Sequence, residues 1–229
     1  MLTKTDLSWA YGVICHPDRR NTHLPRTLRS LATAGFDNPV LFVDGFCEIP
    51  TKLQCSFRHK HVGLFANFSL ALAELFVSYP NCDRYALFQD DIICVKGLRA
   101  YLNETTKHSM AYWNLYTWPC NVREEPGWAL SDQMGRGALG LVFDREGLLA
   151  LIGSGNFWRH RLNTHTGWKS DDKAVIETLR AIGYKEYVHN PSLLQHTGVE
   201  KSLAKNVLGC LESPVFPGED FNVYEHFCK

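Results

Sequence analysis

The segment YALFQDDII, residues 85–93, runs from apolar side chains into two adjacent carboxylates, Asp90 and Asp91. A buried strand that delivers charge at its C-terminal end places it where open α/β sheets bind ligands. Two carboxylates pushed together repel, and a divalent cation relieves that repulsion. A solvated turn after a strand would use the same dipeptide, so these residues alone leave both readings open. A second pair, Asp171-Asp172, stands just ahead of Val175, Ile176, Leu179 and Ile182, which recur at helical spacing. Aspartate caps a helix N-terminus and suits its dipole, and capping is compatible with proton transfer. His196, in LLQHTG, follows a short apolar run. By composition alone it reads as an ordinary surface or core histidine, although imidazole is a reasonable ligand for Mn²⁺.

Short apolar runs alternating with helical periods must position these residues, the pattern of an α/β chain with a mostly parallel sheet. Strands are predicted at Tyr11–Cys15, Val40–Val43, Tyr85–Phe88, 110–118, Leu139–Phe143 and Tyr187-Val188, with a weaker one in 52–62. One helix carries Leu24, Leu28 and Leu31 on one face, with Pro25 in its first turn and Gly35 as its stop. Others are predicted from Leu64 to Ser78, from Arg145 to Ile152 and from Asp172 to a stop at Gly183. Residues 119–137 and 153–169 read as loops, and the stretch after HNPSLLQHTG as a tail. Long loops inside a compact domain are usually functional.

The pieces resemble, in order, the GT-A glycosyltransferases. YGVICHPDRR, LPRTLRSLATAGF and VLFVDG are similar to the first strand, helix and second strand of such a domain, and VGLFANFSLALAEL to the helix before its DxD-type or EDD-type motif. GALGLVFDREGL resembles the segment after the acceptor loop. PSLLQHTGVEKSL is similar to the C-terminal stretch of the family-IV branching N-acetylglucosaminyltransferases, where a histidine completes the metal site. The resemblance covers most of residues 10–203. It departs at Gln89, which replaces the acidic residue of EDD, and in lacking a membrane anchor or stem. It implies a GT-A (Rossmann-like) sheet flanked by helices in one domain over 1–229: a nucleotide-sugar half at about 10–95, an acceptor half at about 96–205 and a tail at 206–229.

It further implies Asp91 and His196 as metal ligands, with Mn²⁺ the expected ion and Mg²⁺ the alternative, and Asp90 toward the ribose. Asp172, with Asp171 as second choice, becomes the general base of an inverting transfer from a UDP-sugar to a hydroxyl acceptor. Pro17, Arg19, Asp44 and Asn67 are expected along the nucleotide-sugar, and Trp118, Trp128 and Gln133 at the acceptor. Polar-turn, Asp-Gly-turn, capping and loop-packing roles remain open for these seven.

Composition bounds the acceptor. The chain has 229 residues, with 45% hydrophobic and 21% charged, and Lys+Arg and Asp+Glu balance at 24 each. No bulk field therefore draws it to nucleic acid or membrane. A glycan, glycolipid, protein or modified DNA base all remain as acceptors, the last because FRHKH and Arg19-Arg20 could form a local basic face. The first twenty residues hold no long apolar run, which suggests a soluble, cytoplasmic protein, of the host cytoplasm if viral. The eight cysteines are scattered without metal-ligand spacing and are expected to be buried free thiols. The rival from another class is a catalytically silent nucleotide- or sugar-binding module on the same fold, which Gln89 would favour.

Overall fold

A computed structural model describes residues 6–49, 52–159, 171–197 and 212–229. The apolar run Trp9–Cys15 forms β1, and Leu24–Ala34 forms α1. Gly35 ends α1 at φ +97°, a left-handed conformation that other residues rarely adopt, and lets Phe36 N–H return to Leu31 O. Then follow β2 (Val40–Val43), β3 (Cys55–Phe57), α2 (Leu64–Ser78), β4 (Arg84–Gln89), β5 (Ile92–Cys94) and α3 (Leu98–Thr105). The second half comprises β6 (Ala111–Asn114), β7 (Gly127–Leu130), β8 (Gly140–Asp144), α4 (Arg145–Ile152), α5 (Gly155–Trp158), α6 (Asp171–Arg180), β9 (Lys185–Asn190), β10 (Leu194–His196) and α7 (Val223–Cys228).

Eight strands make one sheet in the order β3-β2-β1-β4-β8-β6-β9-β7. The pairings β1–β2, β1–β4, β2–β3 and β6–β9 are parallel, whereas β4–β8, β6–β8 and β7–β9 are antiparallel, so the mostly parallel expectation holds. Alternate side chains feed two cores. Val13, Ala86, Phe88 and Trp113 pack with Leu24 and Leu31 of α1, Leu98 and Leu102 of α3 and Val223 of α7. Ile14, Phe42, Tyr85 and Leu87 pack on the other face with Phe68 and Leu72 of α2, Leu148 and Leu151 of α4 and Leu179 of α6. Helices thus cover both faces, as a parallel sheet requires. Because β1, β2, β4, β6 and β9 run the same way, their C-terminal ends open on one edge.

Several expectations need correction. The 119–137 loop contains β7, which pairs Trp128 with His189. The 153–169 loop contains α5, and its residues 160–169 lie outside the described ones. The stretch after β9 is not simply a turn into a tail: Leu194–His196 pairs antiparallel with β5 as a small second sheet, and α7 packs near the C-terminus. Helix α3 had no forecast. These short pieces lack the length that makes a hydrophobic period readable. Among the described cysteines only Cys15 and Cys94, both in strands, are buried. Cys47, Cys55, Cys82 and Cys228 are half-buried and Cys120 is exposed, all as free thiols, and Cys210 lies outside the described residues. Among the described residues no helix is long and apolar enough to cross a membrane.

Candidate functional site

β4 delivers Asp90 and Asp91 to the open edge, where three elements meet them. Thr27 of α1 clamps the turn: its hydroxyl lies 2.9 Å from Asp90 O and 2.8 Å from Ile92 O, and it accepts from Ile92 N–H at 3.1 Å. After β1 the chain makes a single 3₁₀ turn, Pro17–Arg19, in which His16 N–H donates to Asp90 Oδ2 at 2.7 Å. The Arg19 guanidinium then lies between the carboxylates, with Nη1 2.9 Å from Asp90 Oδ1 and 2.5 Å from Asp91 Oδ2. From the other side β10 registers His196 opposite Ile92. This brings His196 Nε2 to 2.9 Å from Asp91 Oδ2, while Thr197 N–H donates to Asp91 O.

The group is nearly dry: the side chains of Arg19, Asp90 and Asp91 are 12%, 4% and 1% exposed. Burial and the charge of Asp91 raise the Asp90 pKa, against the pull of Arg19 and His16 N–H. Burial also acts on Asp91, but the His196 hydrogen bond and the Arg19 charge outweigh it and hold that carboxyl below its ordinary range. Asp91 Oδ1 and His196 Nδ1 are buried and have no hydrogen-bond partner among the described residues. An unpaired carboxylate oxygen beside an imidazole fits a borderline divalent ion such as Mn²⁺. No cluster of three or more His, Cys, Asp or Glu side chains suited to a metal occurs among the described residues.

The second carboxylate pair opens α6. Asp172 Oδ2 accepts from Gly137 N–H at 2.9 Å and Oδ1 from Lys173 N–H at 2.8 Å. Asp171 Oδ1 accepts from Asp172 N–H at 3.1 Å, whereas Asp171 Oδ2 is buried with no partner among the described residues. Burial, reinforced by the charge of Asp172, pushes the Asp171 pKa up to about 7. Burial raises Asp172 as well, opposed by its backbone donors.

The loop 131–138 that meets Asp172 is tightly constrained. Gly135 and Gly137 have φ of +65° and +73°. A Cβ at Gly135 would stand 2.7 Å from Asp172 O, and one at Gly137 2.5 Å from the Tyr116 ring. Buried Glu186 of β9 anchors the loop by accepting from Ser131 Oγ at 2.7 Å, Tyr112 Oη at 3.1 Å and Asn114 Nδ2 at 3.2 Å. Asn114 also donates to Arg136 O at 2.9 Å. Gln89 links the loop to the first pair: Nε2 donates to Ala138 O at 3.0 Å. An ionised glutamate there could not donate, a physical reason for the departure from an acidic triad.

The remaining candidates divide. Asp44 closes β2 at the open edge and accepts from Val62 N–H, Gly63 N–H and the His61 imidazole at 2.7, 3.0 and 2.8 Å. Pro17 lies in the 3₁₀ turn beside it. Asn67 is buried and tied to Arg58 Nε and Phe42 O. Trp118 packs edge-on to Tyr116, close to Gly137. Trp128 is bound to Thr105 Oγ1 and lies against His189, and the Gln133 amide pairs in both directions with the Glu186 main chain. Sequence reasoning missed the Arg19–carboxylate contacts, Thr27, and the Glu186–Asn114 anchor. A lone glutamate in KEYVHN gave a faint signal for the last.

Neither a protein-family profile nor a curated protein matches the chain. Solved structures do. The crystal structure of GalNAc-T7 with UDP, GalNAc and Mn²⁺ aligns at a TM-score of 0.56 and 10% identity, over 80% of this chain and 42% of that one. The chain thus spans less than half the length of GalNAc-T7. A197 from STIV aligns at a TM-score of 0.46 and 12% identity, over 83% of this chain and 85% of that one. At such identity the likeness to GalNAc-T7 concerns the fold, and the fold is α/β of the GT-A glycosyltransferase type.

Proposed function

We propose that the protein is a metal-dependent, inverting glycosyltransferase that moves a sugar from a UDP-sugar to a hydroxyl acceptor. The observation that carries the reading is the convergence of Asp91 and His196, from strands distant in sequence, each with an unpaired buried polar atom. The aligned GalNAc-T7 structure holds UDP and Mn²⁺, which supports the same donor class. Asp91 and His196 would hold the divalent ion, with Mn²⁺ preferred. When bound, the ion supplies charge neutralisation for the departing diphosphate.

The chain's own residues do the rest. Asp44 and Pro17 bound the donor at the strand ends, and Asp90 faces the ribose. Asp172 takes the acceptor hydroxyl proton as oxygen attacks the anomeric carbon, and its backbone donors keep the carboxylate oriented. Trp118, beside the loop that meets Asp172, offers a ring face for the acceptor sugar or base. Asn67, Trp128 and Gln133 serve as supports behind these groups, in keeping with their hydrogen bonds. The donor half occupies about residues 10–95 and the acceptor half about 96–205 of one domain.

A silent binding module is the second reading, favoured by Gln89 and by the Arg19 pairing that already sets a cation between the carboxylates. A thermal-shift panel of nucleotides with and without Mn²⁺, followed by UDP release from UDP-sugars, separates them. Stabilisation by UDP only with Mn²⁺, together with turnover, supports the enzyme. Stabilisation without turnover across donors and acceptors supports the module.

A further inference from the structure

We propose that Arg19 is an internal counter-cation that competes with the divalent ion for Asp91 and yields to it when a diphosphate arrives. This rests on the metal-dependent reading above. One guanidinium nitrogen bridges both carboxylates, at 2.9 and 2.5 Å, inside a group almost closed to water. Charge-assisted contacts of this kind are strong because so little solvent screens them. Two negative charges therefore already have a resident positive partner.

A divalent ion drawn to Asp91 meets that partner's charge a few ångströms away. Like charges at that separation, in a group so poorly screened by water, repel strongly. When Arg19 leaves, His16 N–H still holds the other oxygen of Asp90, and the incoming ion replaces the lost positive charge. Asp91 can admit a cation because Oδ1 is unpaired and His196 stands alongside. A diphosphate bound to the same ion offers the arginine an anion that a guanidinium fork matches. Metal and diphosphate then bind cooperatively, and linkage makes the coupling reciprocal.

The test is Mn²⁺ binding by electron paramagnetic resonance, with and without UDP, on wild type, Arg19→Gln and Arg19→Lys, each checked for folding by circular dichroism. Arg19→Gln is expected to bind Mn²⁺ alone at least about tenfold more tightly than wild type, from removal of the like charge. UDP should tighten Mn²⁺ binding far more in wild type than in this variant. Arg19→Lys, which keeps the charge, should stay near wild type. Equal or weaker Mn²⁺ binding by folded Arg19→Gln without UDP overturns the inference and leaves the metal reading standing. Failure of wild type and variants to take up Mn²⁺ even with UDP overturns both. Should Arg19→Gln not fold, the wild type decides: Mn²⁺ binding that UDP does not strengthen refutes the inference.

Discussion

Asp90-Asp91 and Asp171-Asp172 are the same dipeptide at the same edge of the sheet, one closing β4 and the other opening α6. They are joined through one loop, since Gln89 donates to Ala138 O and Gly137 donates to Asp172. Yet their surroundings differ in one respect. The first pair is met by a guanidinium and an imidazole, and Asp91 is held below its ordinary carboxyl range despite complete burial. The second is met by backbone N–H groups, and burial raises both members. Arg19 and His196 together keep buried Asp91 an anion, suited to a metal, whereas burial and the neighbouring charge still raise Asp90 beside the same guanidinium. Where backbone N–H groups do most of the holding, burial prevails: it raises Asp172 and pushes Asp171 up to about 7, so that Asp171 keeps a proton near neutrality.

The largest effects should come from removing the charge of each pair in turn. Asp91→Asn is expected to abolish the Mn²⁺-dependent part of UDP affinity, a loss exceeding the ~10–100-fold typical of an outer-shell partner. Calorimetric titration of UDP with and without Mn²⁺ reads this, and a variant that keeps metal-dependent affinity would break the contrast. Asp172→Asn should instead lower turnover by at least about a hundredfold with the donor dissociation constant nearly intact, while Asp171→Asn is mild. Product analysis by NMR should give an anomeric configuration opposite to the donor's. Near-normal turnover of Asp172→Asn transfers the role to Asp171, and a retained configuration removes single displacement altogether.

How far this contrast could be read beforehand depended on range along the chain. Val40–Val43, Leu64–Ser78 and Arg145–Ile152 have the bounds that apolar period and stop residues predict, because both signals are local. Asp90-Asp91 at a strand end was legible for the same reason. The partners were not. Arg19 reaches the carboxylates through a three-residue turn, and His196 reaches them through β10, also three residues long. Only resemblance pointed to His196. Gln133 looked like an acceptor contact because it sits in a polar loop, but its amide answers a strand backbone 53 positions away. Long-range pairing of short elements carries no periodic signature.

The loop between the pairs offers a sharper test. Glu186→Leu would leave Ser131, Asn114 and Tyr112 without their buried acceptor, each at about 1–3 kcal/mol. Glu186→Gln keeps an oxygen for Tyr112 and Asn114 and should cost much less. Thermal unfolding of both variants checks the expectation, and equal losses would mean that the hydrogen bonds Glu186→Gln retains do not hold the loop.

The smallest effect isolates the proton held at the second pair. With its pKa pushed up to about 7 from 3.8, native Asp171 retains a proton that the unfolded chain releases. Between roughly pH 4 and 7 the native state therefore binds more protons, so stability falls as pH rises through this window and levels off above it. Asparagine resembles the protonated acid in shape and cannot ionise. Asp171→Asn should match the wild-type melting temperature near pH 4, gain on it steadily up to about pH 7, and keep a constant lead beyond. His189, buried and lowered to about 4, works with the opposite sign, since its contribution is lost as pH falls from the ordinary imidazole range toward 4. That loss occurs in both proteins and cancels in the difference. Asp172→Asn should reduce the rise without abolishing it, because the neighbouring charge that reinforces burial is gone while burial, the larger cause, remains. A lead of Asp171→Asn that is flat with pH, or that shrinks as pH rises, would show that Asp171 ionises as readily folded as unfolded, and the proton-holding role of the second pair would fall with it.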